Sequence, residues 1–279
     1  MRGYVYPYEI KEKVKTLRKQ GFSLNELVKI TGIPKTSVHD WVTDIVLSKK
    51  AQKRISQKIT ENALKLNGVR NYKRRFVPKP ADWSHQLIST VCHFMFDGDV
   101  SSHSCSYSSR NKSQILRMRK LVTDIFLIEP IIKSQSGGVI RISYHYTDLA
   151  EYISFKSKEL IIYIVNSIEE EQRTFLRAFF DDEGCVTFNK GRKQIRGYQH
   201  SYKMLKLIQD LLQNFGIKSQ INNTKVEITI TGKENLVKFQ DEINFSPDIY
   251  INHLRKNSLW RNKISKSEIL KRAIDSYEK

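Results

Sequence analysis

Cysteine is scarce in this 279-residue chain: Cys92, Cys105 and Cys185 make an odd number with no C-x-x-C spacing. That argues against a disulfide framework and a structural zinc site, and it leaves Cys92 as a small residue for packing between helices. The seven histidines are scattered and form no H-x-x-x-H pair, so no histidine-based metal site is expected. No apolar run approaches the roughly 20 residues that span a bilayer. Met1-Arg2-Gly3-Tyr4-Val5-Tyr6-Pro7 also lacks the apolar core of a signal peptide. A cytoplasmic, nucleoid-associated protein with no membrane partner is the expectation. Acid is short too: 29 Asp and Glu stand against 48 Lys and Arg, a formal charge of +19. An excess of that size implies a polyanionic partner, nucleic acid before any acidic surface. With 39% hydrophobic residues the chain can still bury a real core, in one large or two to three small domains.

Most of the net positive charge falls within the first 80 residues. Ile10, Val14 and Leu17 recur at helical spacing up to Gly21; Ser23 then caps a short helix carrying Leu24, Leu27, Val28 and Ile30. Thr31-Gly32-Ile33 makes a tight turn, and Pro34 opens a third helix with Val38, Trp41 and Val42 facing inward. This helix-turn-helix, residues 1–48, resembles the three-helix DNA-binding domains of resolvases and transposases. By that resemblance Lys35, Thr36, Ser37 and His39 point at base edges and phosphates. Residues 49–80 read as a basic linker: a helix over 51–66, then an extended run with Lys73, Arg74 and Arg75 that ends in prolines.

Two stretches downstream share one pattern. Thr174 to Phe180 is an apolar helical run that ends in Asp181-Asp182-Glu183-Gly184 before a strand, and Gln86 to Phe96 ends likewise in Asp97-Gly98. Laid on each other they pair Asp97 with Glu183, Gly98 with Gly184, Phe94 with Phe180 and Cys92 with Ala178. With a slip of one residue, as a hairpin of different length would produce, Met118 falls on Leu205 and Leu149 on Leu236. The pattern is a duplicated unit with one acid per copy, residues 81–166 and 167–279. Shifting the register to make Asp99 the first acid would lose the glycine pairing, so Asp97 is preferred.

Each copy reads helix, strand, strand, helix, strand, strand, helix. The first copy has strands at 104–108, 131–134 and 138–144 around a helix at 114–126. The second has strands at 185–189, 194–198, 218–222 and 225–231. Period-two strands with polar and basic residues on one face suit a sheet that lies in a DNA groove. Arg110, Lys112, Lys133 and Arg141 are the candidates in the first copy. Lys190, Arg192, Lys193, Arg196, Lys218 and Lys225 are those in the second. The closing stretch, 255–279, is basic and helical, with Leu259-Trp260 and Ile269-Leu270 expected to dock on the core.

Phe94-Met95-Phe96-Asp97-Gly98 and Leu176-Arg177-Ala178-Phe179-Phe180-Asp181-Asp182-Glu183-Gly184 resemble the paired signature helices of single-chain LAGLIDADG homing endonucleases. The run Thr229 to Phe239 with Ile243-Asn244-Phe245 resembles that family's closing strand and helix, and the resemblance covers about residues 84–265. The second motif is the better match, the first having Met95 where an aspartate is usual. The resemblance implies an α+β fold of two pseudo-symmetric αββαββα repeats forming a saddle-like DNA-binding sheet, preceded here by an all-α helix-turn-helix domain. It further implies a monomeric double-strand DNA endonuclease with a long target site. In it Asp97 and Glu183 bind Mg²⁺ (or Mn²⁺) over the scissile phosphates, and a basic residue, Lys233, polarises water or phosphate. A non-cleaving transcriptional regulator and an RNA-splicing maturase that binds structured RNA are the alternatives on the same scaffold.

Overall fold

The computed structural model describes residues 6–69, 77–189, 191–222, 224, 226–253 and 258–278. They form two compact units, Met1–Arg75 and Phe76–Lys279.

The first unit is all helical: α1 (Tyr8–Lys19), α2 (Leu24–Thr31), α3 (Lys35–Val42) and α4 (Lys49–Val69). Ser23 starts α2 through a reciprocal cap, its Oγ accepting from the Glu26 amide at 3.3 Å while its own amide donates to the Glu26 carboxylate at 2.9 Å. Gly32, at a φ of 70° that favours glycine, ends α2 and turns the chain into α3. Val14, Leu27, Ile33, Val38 and Val42 form the core. The start of α4 belongs to the same unit, with Ala51 buried and the Arg54 guanidinium 4.1 Å from the Phe22 ring centre.

The second unit is α+β and built twice. The first repeat runs α5 (His85–Phe96), β1 (Gly98–Val100), β2 (Cys105–Ser109), α6 (Lys112–Phe126), β3 (Ile131–Ser134), β4 (Ile140–Tyr144) and α7 (Thr147–Tyr163). The second runs α8 (Glu169–Glu183), β5 (Gly184–Asn189), β6 (Arg192–Tyr198), α9 (Tyr202–Asn214), β7 (Gln220–Asn222), β8 (Glu227–Thr231) and α10 (Lys233–Glu242), and α11 (Lys266–Asp275) closes the chain. The sheets are antiparallel and share one strand order, β1-β2-β4-β3 and β5-β6-β8-β7. Register repeats as well: Gly98 pairs with Tyr107 as Gly184 pairs with Gly197. The result is the saddle of two αββαββα repeats, preceded in the chain by an all-α unit, that the sequence led us to expect.

One continuous core spans both repeats. Where α5 and α8 meet, the Phe96 ring stands edge to face against Phe175 and Phe179, at centroid distances of 5.6 and 5.2 Å. The small residues Cys92 and Ala178 are both buried. At the C-terminus Ile269 and Leu270 dock as expected, but Leu259 does not, being 65% exposed. Its neighbour Trp260 is half-buried, its ring centre 6.4 Å from that of Phe188.

Candidate active site

Each repeat places its acid at the same junction. α5 ends at Phe96, Asp97 is the capping residue, and β1 begins at the next position; α8 ends at Glu183 and β5 begins at Gly184. The strand leaves the helix so abruptly that a Cβ on Gly98 would lie 2.5 Å from the Phe94 carbonyl oxygen, and one on Gly184 would strike the Phe180 carbonyl. Glycine after the acid is thus a requirement of close approach. It fixes where the carboxylate emerges.

Both carboxyls are raised to about 7. For Asp97 the first cause is the protein packed around it, then the negative charge of Asp182. For Glu183 it is again burial, then the charges of Asp97 and Asp182. Asp97 is exposed on one flank while Glu183 is half-buried. The two acids belong to one electrostatic site, since each lies within reach of the same neighbours and Asp97 raises Glu183.

Three further side chains build the floor of this site. Asp182 accepts from His93 Nδ1 at 2.8 Å, Tyr107 Oη at 2.7 Å and Gln114 Nε2 at 2.6 Å, which ties α8 to three elements of the first repeat. Burial pulls the His93 pKa down, but the charge and hydrogen bond of Asp182 outweigh it and leave His93 raised. Asp181 points the other way. It accepts from the Ser246 amide at 2.8 Å and faces Arg117 at 3.5 Å, an orienting contact. Lys266, at the first position of α11, is buried and donates to the carbonyls of Phe180 and Asp181 at 3.1 and 2.7 Å. It supplies positive charge where the dipole and orphan carbonyls of the α8 C-terminus call for it. Burial lowers its pKa, while the acids around it oppose that shift, and its charge in turn acts to lower Asp97 and Glu183.

Lys233 is the first residue of α10, with Nζ 3.3 Å from Glu278 Oε1 in a half-exposed pair. The cation that acts on both acids is Lys266. Asp99 lies on β1, 72% exposed, and pairs with Arg141 at 2.9 Å. No three of the His, Cys, Asp and Glu side chains among the described residues converge to enclose a metal ion. Asp97 and Glu183 provide two carboxylates, a donor set that fits Mg²⁺, which binds through one or two carboxylates and keeps the rest of its shell for water and phosphate oxygens. Their mutual repulsion is the charge that such an ion would neutralise.

The sequence-predicted polar face is divided by register. Lys133, Arg141 and Arg196 lie on the open side of the sheets, and Arg192 is exposed at the start of β6. Lys193 does not: it pairs with Phe188 on the helix-covered side and donates to the Ser276 carbonyl at 3.0 Å. Its side chain alternates with Arg192 and Gln194, and the strand's pleat turns it inward. Arg110 donates to the Gly137 carbonyl at 3.0 Å, Lys112 begins α6, and Lys218 is exposed before β7. In the first unit Lys35, Thr36 and His39 are exposed along α3 and Ser37 is half-buried. Lys73, Arg74, Arg75, Lys190 and Lys225 lie outside the described residues. Among the described residues no helix is long and apolar enough to cross a membrane.

A curated relative, the replication factor C small subunit of Thermococcus kodakarensis, is 29% identical over 185 residues; the match covers 62% of this chain and about a fifth (21%) of the relative's length. Among solved structures, a variant of the homing endonuclease I-DmoI matches with a TM-score of 0.46 and 13% identity, covering 59% of this chain and 95% of its own. Full-length DUF199/WhiA from Thermatoga maritima matches with a TM-score of 0.47 and 16% identity, covering 71% and 63%. Residues 170–244, the greater part of the second repeat, match the family described as the LAGLIDADG-like domain.

Proposed function

We propose that this chain is a site-specific, double-strand DNA endonuclease of homing type that hydrolyses phosphodiesters with a divalent metal. The observation that carries the reading is the pair Asp97 and Glu183: one acid per repeat, at equivalent helix ends, both raised to about 7 in part by neighbouring negative charge. Two carboxylates from two pseudo-symmetric copies suit two strands of one duplex, and a single chain suffices as a monomer.

In this reading Asp97 and Glu183 hold Mg²⁺ or Mn²⁺ against the phosphates. When bound, a divalent ion supplies Lewis acidity, easing deprotonation of water and stabilising the leaving oxygen. Lys266, rather than Lys233, offsets the remaining negative charge and holds the end of α8 in place, while Asp182 and Asp181 fix the helix against both repeats. The open sheet faces bind the duplex, Arg and Lys at phosphates and polar side chains at base edges. The helical N-terminal unit, with Lys35, Thr36, Ser37 and His39, lengthens the target site, and a second binding body raises affinity through linkage.

A non-cleaving DNA-binding regulator is the second reading, favoured by the unequal surroundings of the two acids. Cleavage of a plasmid carrying the gene's flanking region fused without the insert, with Mg²⁺ or with EDTA, separates the two. Linear product that needs Mg²⁺, and becomes nicked or absent in Asp97→Asn and Glu183→Gln, supports the endonuclease. Tight, salt-sensitive binding with no cutting supports the regulator, and preference for structured RNA over duplex DNA would redirect both toward a maturase.

A further inference from the structure

We infer that sequence discrimination is unequal between the two repeats and is concentrated on the open face of the second sheet, around Arg196. The inference rests on the DNA-binding reading above. On β2 the side chains of Cys105 and Tyr107 are buried, as is Ile195 on β6, so the residues that alternate with them face the opposite side of each sheet; there Ser106 is only 4% exposed beneath Arg141, whereas the Arg196 side chain is 38% exposed. Because strand order and register are shared, the two faces can be compared position by position. Gly98 pairs with Tyr107 and Gly184 with Gly197, so Ser106 corresponds to Arg196. Their neighbours on the next strand, Ser143 and Thr229, correspond in turn. One strand further out, Ile131 corresponds to Gln220 and Lys133 to Asn222.

The chemistry at these places differs in kind. Arginine, glutamine and asparagine present paired hydrogen-bonding groups that match single bases in the major groove, Arg to guanine and Gln or Asn to adenine. Serine is short and pairs with any base; isoleucine has no hydrogen bond to offer, and a lysine is a point charge suited to phosphate. The first face's central cation is also already engaged, since Arg141 donates to Asp99 at 2.9 Å and to Ser106 Oγ. Arg196 is not saturated in this way. Its Nη1 lies 3.4 Å from Glu227, and its buried Nε has no acceptor among the described residues. A buried donor left unpaired is costly, so the Arg196 side chain gains by turning out from the sheet toward an acceptor on a base edge. The second face therefore reads sequence while the first mainly grips the backbone.

The test uses the full chain in EDTA and a pool of duplexes with a randomised window, sequenced after selection for binding. Arg196→Ala with Gln220→Ala should flatten base preference over one contiguous block and weaken the wild-type winning duplex about tenfold or more. Ser143→Ala with Ile131→Ala should leave every preference in place. Circular dichroism confirms that both variants fold. Equal flattening by the two variants, or none by the first, overturns the inference while leaving DNA binding intact. No enrichment by the wild-type protein overturns the DNA reading itself, and the inference with it.

Discussion

Asp182 Oδ2 lies 2.8 Å from His93 Nδ1, and neither side chain is more than 4% exposed. The relation between the repeats carries Asp182 onto Phe96 and His93 onto Phe179, whose rings meet edge to face at 5.2 Å. One contact is thus made twice across the helix pair, as a buried ion pair on one side and as an aromatic contact on the other. Two identical subunits could not differ in this way. Duplication within one chain permits it, and it leaves the two acids in unequal surroundings.

Removing one partner of that ion pair should be expensive. Asp182→Ala strands His93, Tyr107 and Gln114 together, and breaking a buried pair in this manner costs about 3–5 kcal/mol. Denaturant unfolding checks it. A double-mutant cycle with His93→Ala should return a large coupling; a loss below about 1 kcal/mol would mean that the pair contributes no more than an exposed one.

The pH dependence follows from the raised carboxyls. A folded-state value of about 7, above the ordinary carboxylate range, means that the folded protein holds these protons more tightly than the unfolded chain. The stabilisation is complete at acid pH and is lost as pH rises through about 7. Without metal, the melting temperature should fall between pH 5 and pH 8. Asp97→Asn and Glu183→Gln should each melt higher than wild type at pH 8 and differ little from it at pH 5. A wild type whose melting temperature does not change over that range would show that the site carries no excess charge.

Much of this was legible in the sequence because the duplication lets the pattern be read twice. Asp97 with Glu183, Gly98 with Gly184 and the period-two strands all come from local spacing that the second copy repeats. Lys266 was not legible: it stands in a basic stretch beside Lys263 and Lys271, and only the return of the chain to the end of α8 distinguishes it. Asp182 was not legible either, because its three donors lie far away in the chain. Lys193 read as groove-facing from the charge of its hairpin, whereas its face is set by register against Phe188.

Alanine at either junction glycine should test the close approach. The atom that a new Cβ would meet in Gly184→Ala is a backbone carbonyl of the same helix, which cannot swing aside as a side chain can. A loss of about 1–3 kcal/mol, typical of overpacking, is expected for Gly184→Ala and for Gly98→Ala, read as a lower denaturation midpoint. Gly138→Ala serves as the control for conformational strain alone, having a φ of 75° and open space around it.

Lys266→Met removes the cation and the Nζ donor to the Phe180 and Asp181 carbonyls, of which Phe180 keeps the Gly184 amide. The acids lose the charge that holds both of them down, with His93 still acting on Asp97, so their titration should move above about 7. Carboxyl titration by NMR reads that shift apart from any loss of stability. Lys266→Arg, which keeps the charge, should restore the titration in large part even if its bulk lowers the melting temperature.

Metal binding can be tested without any DNA. If Asp97 and Glu183 hold a divalent ion, Mg²⁺ should stabilise the folded protein at pH 8, where both carboxyls are ionised, and should fail to do so at pH 5, where protons occupy the site. At ten times the dissociation constant the gain is about 1.4 kcal/mol, which raises the melting temperature by roughly 3–6 °C for a unit of this size. The Asp97→Asn, Glu183→Gln double variant should lose the Mg²⁺ response while melting higher than metal-free wild type at pH 8. Those two effects have opposite signs, so a merely unfolded variant cannot imitate them. An equal Mg²⁺ shift in wild type and double variant would move the ion away from these carboxylates and leave the pair with no assigned cation but Lys266.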